Sequence, residues 1–340
     1  MIKSLYFEIT NNCNLFCKHC YNASNQSEPK YIDAEILLNS IRDIKSPNNI
    51  TIQISGGEPL LHPKLNYIIE TLHSFGCKIM IVSNSLLITK EIATLLNEND
   101  VGLQISIDGI RHIHNKIRGE GVYDRALNSI KILRNYYNME NAIVKAVITN
   151  LLLGHVKEYV EEMLKLDFKH ISFGYLSHSG RAIDSFYSIH SPSSEDLIKL
   201  DYEIEEVKKL YPDKVEIPII AYSCGLLHNS TEEYNIKIDV DGNIFICQGF
   251  NDVKYSIGNI NYDSIENCLI SKKFEELIST LRERQSLINC NHCILHKNIL
   301  CNKGCPAEEI NINGNIAGCD DKCKYRINRR LLDLINKTGS

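Results

Sequence analysis

The chain has 340 residues, 44% hydrophobic and 23% charged, with a net charge of −5. That is enough apolar material for a well-buried core. It leaves no basic surplus for gripping nucleic acid, and no run of about 18 apolar residues for crossing a membrane. No signal-peptide pattern opens the sequence, so a cytoplasmic location is expected, and there the 13 cysteines point to metal or redox chemistry rather than to disulfides.

From residue 1 to about 176, short β-branched runs alternate with helical patterns, the signature of βα units around a parallel sheet. Strands are expected at 5–10, 50–54, 78–82, 102–107, 143–148 and 170–175. Between them, 34–44, 65–75, 90–96, 123–136 and 156–166 carry apolar residues at three- and four-residue spacing. Pro63 suits a helix start and Gly76 a stop. Six such strands predict an α/β fold, a partial (β/α)6 barrel of TIM-like type. Beyond Gly180 the pattern changes: an amphipathic helix is expected over 194–210 behind a Ser-Ser-Glu-Asp start, and a β-hairpin over 234–247 around Asp241-Gly242. Past Cys290 periodicity fades and cysteines dominate, as in segments held together by metal, until a closing helix over 326–335. The domain reading is a barrel core over 1–180, a connecting helical segment over 181–222 and a Cys-rich extension over 223–340, built on the hairpin and short helices.

Asn12-Cys13-Asn14-Leu15-Phe16-Cys17-Lys18-His19-Cys20-Tyr21 follows the first strand directly. Three thiols therefore sit at the C-terminal end of a strand, where parallel α/β folds assemble active sites. Four thiolates close a [4Fe-4S] cubane into an electron carrier, whereas three leave one iron open to an outside ligand. A zinc site borrowing His19, or three unrelated core cysteines, would satisfy the same spacing. Ser55-Gly56-Gly57-Glu58-Pro59 ends the second strand, its glycines allowing backbone to approach a ligand and its carbonyls or carboxylate able to accept from an ammonium; alone, it reads equally as a turn. Ser83-Asn84-Ser85 closes the third strand and Ser106-Ile107-Asp108-Gly109 the fourth, bringing polar groups to the same end. Thr149-Asn150 and Tyr175-Leu176 follow the fifth and sixth, where N-cap and packing roles are the alternatives. Cys77 reads as a packing residue.

The CxxxCxxC spacing of Cys13, Cys17 and Cys20, with Tyr21 after it, resembles the signature of the radical S-adenosylmethionine (SAM) superfamily. The resemblance implies a [4Fe-4S] cluster on those three thiolates, its open iron chelating the amino and carboxylate groups of SAM. It implies that Gly56-Gly57-Glu58-Pro59 holds the SAM amino group, that Ser83, Asn84, Ser106 and Asp108 take the ribose and carboxylate, and that Thr149, Tyr175 and Leu176 lie beside the adenosine. At Ser85 the chain departs from the Thr-Asn-Gly often found there. His114-Asn115-Lys116-Ile117-Arg118-Gly119 is similar to the family's HDxxRG stretch, with Asn115 in place of its Asp; Arg118 then pairs with the SAM carboxylate or caps a loop.

Nine cysteines lie between Cys224 and Cys323 inclusive, and their order resembles the SPASM extension of radical SAM enzymes that modify peptides and proteins. Cys224 leads, Gly242 and Cys247 supply Gly-x4-Cys, Cys290 and Cys293 form CxxC, and Cys301, Cys305 and Cys323 follow. The gaps from Cys224 to Gly242 and from Cys293 to Cys301 are longer than the usual pattern. The resemblance implies two auxiliary [4Fe-4S] clusters. One would use Cys224, Cys247 and Cys305, its fourth ligand being Cys319 or Cys268 or its iron staying open; the other would use Cys290, Cys293, Cys301 and Cys323. Spacing alone equally allows structural zinc.

The activity implied is one-electron reductive cleavage of SAM to methionine and a 5′-deoxyadenosyl radical, which removes hydrogen from an unactivated C–H bond held close to C5′. The auxiliary clusters would accept the electron left behind, and flavodoxin or ferredoxin would supply the first one. The expected substrate is a peptide, a ribosomally made precursor that receives a thioether or carbon–carbon crosslink. Sulfatase-maturase-like oxidation of Ser or Cys to formylglycine, and modification of a small molecule such as a haem precursor, are the enzymatic alternatives. With twelve residues before Cys13, either a separate leader-binding protein is expected as a partner or the substrate binds without one. A non-enzymatic iron-sulfur electron carrier or zinc-stabilised binding protein would share the cysteines but would not call for three-thiolate ligation. No residue is singled out by spacing as an acid or base.

Overall fold

Alternation along the strands decides which residues face the helices and which face the interior of the barrel. On β1 (Ile2–Thr10), Leu5, Phe7 and Ile9 join Leu37, Leu38 and Ile68 in one hydrophobic core, while Tyr6 lines an interior cavity, as the two-residue period of a strand requires. The same division runs through β2 (Thr51–Gly56), β3 (Lys78–Ser83), β4 (Gly102–Ser106), β5 (Ala142–Ile148) and β6 (His170–Tyr175). Ile52, Ile54, Ile79, Ile81, Leu103, Ile105, Val144 and Ile171 belong to the core. Gln53, Ser55, Val82, Gln104, Ser106, Lys145, Val147 and Gly174 face the cavity. Burying an aliphatic side chain of this size contributes about 1.5–3 kcal/mol, and a slip of one residue would turn that whole set inward, so the register is strongly specified.

These elements are seen in a computed structural model that describes residues 2–44, 46–47, 50–183, 185–216, 234–283, 290, 293–297, 304–314 and 322–338. The helices between the strands are α1 (Ala34–Arg42), α2 (Leu65–Ser74), α3 (Lys90–Glu98), α4 (Arg111–Arg118), α5 (Val122–Tyr136) and α6 (Val156–Lys165). Asp33 caps α1 by accepting from the Glu35 and Ile36 N–H groups, and Thr89 caps α3 through Ile92 N–H, each satisfying a donor that the first helical turn leaves unpaired. Five of the six helices match the periodicity of the sequence; α4 is an addition. After β6 come α7 (Phe186–His190) and α8 (Ser194–Leu210), the latter capped by Ser193 accepting from Asp196 N–H.

The strand order is β6-β5-β4-β3-β2-β1-β7-β8-β9, where β7 is Tyr234–Ile238, β8 is Asn243–Phe245 and β9 is Gly258–Asn259. The expected hairpin over 234–247 is present as β7 and β8, turning at Gly242 with φ +85°. It does not stand apart from the barrel. β7 lies parallel to β1, pairing Leu5 with Ile236 and Phe7 with Ile238, so the hairpin continues the barrel sheet beyond its first strand. The closing helix, expected from 326, spans Cys323–Thr338 and packs back on α8, where Tyr325 donates to the buried Asp201 carboxylate.

Candidate active site

Cys13, Cys17 and Cys20 line a single cavity of about 460 Å3 together with residues at the ends of the six barrel strands. Two straps shape their loop. Asn25, in the left-handed region at φ +68°, accepts from Cys13 N–H at 2.8 Å and donates its amide to the carbonyls of Cys13 (2.5 Å) and Leu15 (3.1 Å). Arg181 donates Nε–H to the Cys17 carbonyl at 2.9 Å, also donates to the Ser24 carbonyl, and stacks on Phe16. Its own N–H reaches the Cys20 carbonyl at 3.0 Å. That approach needs Gly180, φ +55°, where a β-carbon would lie 2.2 Å from the Cys20 oxygen. Burial pushes the Cys13 thiol up to about 12 and raises Cys17 as well, Arg118 opposing the latter. Thiols so placed ionise when a bound cation supplies the charge.

Gly56 and Gly57 line the cavity, but the close approach they permit is to the cysteine loop itself rather than to a ligand. A β-carbon at Gly56 (φ +120°) would lie 2.3 Å from the Thr10 oxygen, and one at Gly57 2.1 Å from the Asn12 oxygen. Gly57 N–H donates to Thr10 at 2.6 Å and Glu58 N–H to Asn12 at 2.8 Å, so the end of β2 is pressed onto the chain entering the loop. Glu58 and Pro59 are buried and do not themselves line the cavity. The Glu58 carboxylate accepts from Ser83 Oγ (2.8 Å), Asn84 N–H (2.9 Å) and Leu60 N–H (3.3 Å). Burial pushes it up to about 7 against those bonds. Ser83 and Asn84 do face the cavity, and the Asn84 amide donates to Asn14 Oδ1 at 2.7 Å beside the Cys13 sulfur. Ser85 is buried at φ +67° with an unpartnered hydroxyl.

At the end of β4, Ser106 faces the cavity while Asp108 is fully buried and does not line it. The Asp108 carboxylate accepts from Val147 N–H at 3.0 Å and from Arg118 Nε at 2.5 Å, and meets His19 Nε2 at 2.8 Å. Burial alone would raise this carboxyl; Arg118 and then His19 overcome it and hold it well below the usual range. Arg118, at the end of α4, also comes within 3.9 Å of the Cys17 sulfur. The sequence expectation that Asp108 touches SAM is corrected: its oxygens are committed to fixing the loop through His19 and Arg118. His19 Nε2 is committed to Asp108, which ties the imidazole to the loop-fixing group. Thr149 is buried without lining the cavity, whereas Tyr21, Tyr175 and Leu176 do line it.

The remaining wall comes from the Cys-rich extension, through Gln248, Gly249, Asn251 and Glu308. A buried polar chain reaches it from the barrel. Tyr6 OH donates to Ser55 Oγ at 2.7 Å and pairs with Tyr21 OH at 2.5 Å; Tyr21 OH donates to Glu8 at 3.4 Å; Lys237 on β7 donates to Asn251 at 2.6 Å. Cys247 and Cys305 are neighbours: burial pushes Cys305 up to about 11, and Cys247 adds to the rise. Cys268 is buried against Gly258, with Asp263 and Lys273 as its charged neighbours, which counts against it as a fourth ligand beside Cys247 and Cys305. Cys293 N–H closes a turn on the Cys290 carbonyl at 3.0 Å, and Cys323 begins the last helix. Cys224, Cys301 and Cys319 lie outside the described residues. Cys77 is a packing residue, its sulfur 3.6 Å from the Pro47 carbonyl. There is no disulfide among the described cysteines.

A barrel with three thiols lining a ligand-sized cavity, two glycines that admit no β-carbon and polar residues at the strand ends has a donor set suited to an iron-sulfur cluster and a small cofactor. Family comparison agrees: residues 7–167 match the Radical SAM superfamily and residues 230–294 the SPASM iron-sulfur cluster-binding domain. The chain belongs to the radical SAM superfamily and carries a SPASM domain; it is an enzyme whose cofactors are SAM and [4Fe-4S] clusters. It is 25% identical to mycofactocin maturase MftC of Mycolicibacterium smegmatis over 329 residues, 94% of this chain and 82% of that one. It is also 25% identical to the antilisterial bacteriocin subtilosin biosynthesis protein AlbA of Bacillus subtilis over 349 residues, 97% of this chain and 72% of that one. Its fold is shared with anSMEcpe bound to AdoMet and the Cp18Cys peptide (TM-score 0.75, 19% identity, 99% and 100% of the two chains). Streptococcus suis SuiB bound to S-adenosylmethionine also has this fold (TM-score 0.73, 16% identity, 94% and 76%).

Proposed function

We propose that this enzyme matures a ribosomally made peptide by hydrogen abstraction and crosslinking, forming a thioether or carbon–carbon bond. The observation that carries the reading is the shared cavity, which is lined both by the cysteine loop of the barrel and by residues of the SPASM region. A substrate between them would meet the radical source on one side and an electron acceptor on the other. The similarity to MftC and AlbA, both named for peptide natural products, supports a peptide. In this reading residues 1–180 form the core, 181–222 the connection and 223–340 the auxiliary domain.

Cys13, Cys17 and Cys20 would hold the catalytic cluster. Cys247 and Cys305, with Cys224, would hold one auxiliary cluster, its fourth ligand being Cys319 or its iron staying open. Cys290, Cys293, Cys301 and Cys323 would hold the other. Bound together, the catalytic cluster and SAM supply a 5′-deoxyadenosyl radical capable of removing hydrogen from an unactivated carbon. The chain's own part is to orient and to exclude water. Asn25, Arg181 and the His19–Asp108–Arg118 group fix the loop, the ends of β2 and β3 shape the amino-acid side of the SAM site, and Tyr175 and Leu176 flank the adenosine. A flavodoxin or ferredoxin would deliver the electron, a separate protein would present the leader, and the reducing cytoplasm suits so many metal-binding thiols.

The test is anaerobic reconstitution, dithionite reduction and incubation with SAM and candidate precursor peptides. Expected are 5′-deoxyadenosine and a peptide lighter by two hydrogens, both lost when Cys13, Cys17 and Cys20 are replaced by Ala. No 5′-deoxyadenosine with any peptide would sink the reading.

A further inference from the structure

Lys145 occupies an unusual place for a charge. It sits within β5, paired in register with Ser106 of β4 and Ser172 of β6, and its side chain lines the cavity. Its ammonium has neither a hydrogen bond nor an ion pair to any described residue, while its backbone carbonyl accepts from Ile107 N–H at 3.1 Å. The other cations of the cavity wall are committed: Arg118 to Asp108, and Arg181 to the carbonyls of Cys17 and Ser24. The wall carboxylate Glu308 is likewise engaged, accepting from Ser177 at 2.6 Å and facing Lys322. Gln53 and Gln104, whose carboxamides have no hydrogen-bond partner among the described residues, face the same space.

Room has been left for this ammonium. A β-carbon on Gly174 would lie 3.0 Å from Lys145 Cε, so glycine at the neighbouring inward position of β6 lets the lysine extend along the wall. Burial lowers its pKa, and the charge that opposes this is Glu216, beside the β6 edge where Glu216 N–H joins the Ile171 carbonyl. The loop thiols, Asp108 and Arg118 form a separate charge group, into which Lys145 does not enter. The carboxylate of SAM is expected at that loop, so it is not the anion for which Lys145 is placed. A half-buried ammonium with no hydrogen-bonded counter-charge carries a desolvation cost, and an incoming carboxylate relieves that cost with a charge-assisted hydrogen bond.

We propose that Lys145 is the anchor for a carboxylate of the peptide substrate, either its C-terminus or an acidic side chain, seated between Gln53, Gln104 and Gly174. This rests on the peptide reading and specifies its substrate chemistry.

The experiment is equilibrium binding to anaerobic, SAM-loaded holoenzyme with three probes: N-acetyl-trialanine with a free C-terminus, the same peptide amidated, and N-acetyl-Ala-Glu-Ala amide. At least one carboxylate probe is expected to bind about tenfold more tightly than the neutral amide, and which one does so identifies the source of the anion. Lys145→Met should abolish the difference while leaving SAM affinity unchanged. Lys145→Arg should keep part of it, and Gly174→Ala should reduce it by displacing the ammonium, so the inference stands or falls even if the Met variant fails to fold. Equal binding of all three probes overturns it, as does a loss of SAM affinity in Lys145→Met that matches any loss for the peptides. Binding needs no turnover. Discrimination without 5′-deoxyadenosine from any peptide would reject the maturation reading and leave the anchor, whereas turnover without discrimination would do the reverse.

Discussion

Lys237 on β7 directs its ammonium at Glu8 on β1, 3.8 Å away, with the two side chains 1% and 5% exposed. Burial raises the Glu8 carboxyl and Lys237 opposes the rise, so each charge is tolerable because the other is present. Replacing one member leaves a buried charge unpaired. Lys237→Met is therefore expected to cost about 3 kcal/mol. The double variant Glu8→Gln with Lys237→Met should recover at least half of that loss, as read from urea unfolding midpoints. Additive losses would mean that the two do not act as a pair.

Cys305 and Cys268 have similar thiols in different company, Cys305 beside Cys247 and Cys268 beside Asp263. Cys305→Ala should lower bound iron by about four per chain, one [4Fe-4S] cluster, while Cys268→Ala should leave it unchanged and cost only packing. Iron and sulfide analysis of the reconstituted proteins distinguishes the two. Equal iron loss from both would return Cys268 to the ligand set.

The Glu58 carboxyl, pushed up from 4.5 to about 7, makes SAM binding sensitive to pH. The folded protein holds this proton more tightly than the unfolded chain does. The group therefore lowers stability as pH rises from about 4.5 to about 7 and contributes no further slope above that. Cofactor affinity is expected to run the opposite way: Glu58 does not line the cavity but accepts from Ser83 and Asn84, which do, so its ionised form puts a negative charge just behind the wall where the ammonium of SAM would sit. Affinity is expected to be level above pH 7 and to fall by up to about tenfold per unit below it. Glu58→Gln should flatten the profile. A SAM dissociation constant that does not move between about pH 6 and about pH 8 rules out this coupling.

Ser85 holds φ at +67° with its hydroxyl buried and unpartnered, at the position where the sequence departs from Thr-Asn-Gly. Glycine adopts this conformation without steric cost and brings no buried hydroxyl. Ser85→Gly should stabilise the protein by about 1 kcal/mol, seen as a higher urea midpoint. A lower midpoint would show that the side chain's packing outweighs the strain.

Much of the barrel is legible in the sequence because its strands and most of its helices carry their own periodicity. The strand expected at 170–175 is observed at His170–Tyr175, and that expected at 78–82 runs one residue further, to Ser83. α4 is not legible: Arg-His-Ile-His-Asn-Lys-Ile-Arg offers only Ile113 and Ile117 as a buried aliphatic stripe, too short for periodicity to mark. The cysteine loop is legible by spacing, but what holds it is not. Asn25 acts through a left-handed backbone and Gly180-Arg181 through a contact distant in sequence, and neither leaves a pattern. Glu58 and Asp108 stand where the motifs put them, yet sit behind the cavity wall without lining it, because a motif reports a residue type and not the surroundings of its side chain. The pairing of β7 with β1 joins segments from opposite parts of the chain, and no local signal records it.

Gly249 sits in the wall contributed by the extension, and a β-carbon there would lie 2.6 Å from the β-carbon of Ala307. The two residues interlock the segment after the hairpin with the helix that begins beside Cys305. Gln248 and Asn251 flank that lock and look into the cavity. Divergence can therefore rewrite the side chain at 248, changing the shapes the chamber admits, while Asn251 stays tied to the buried Lys237 and the small pair at 249 and 307 keeps the neighbouring cysteines in step. Selectivity and cofactor retention are thus open to separate evolutionary adjustment within four consecutive residues.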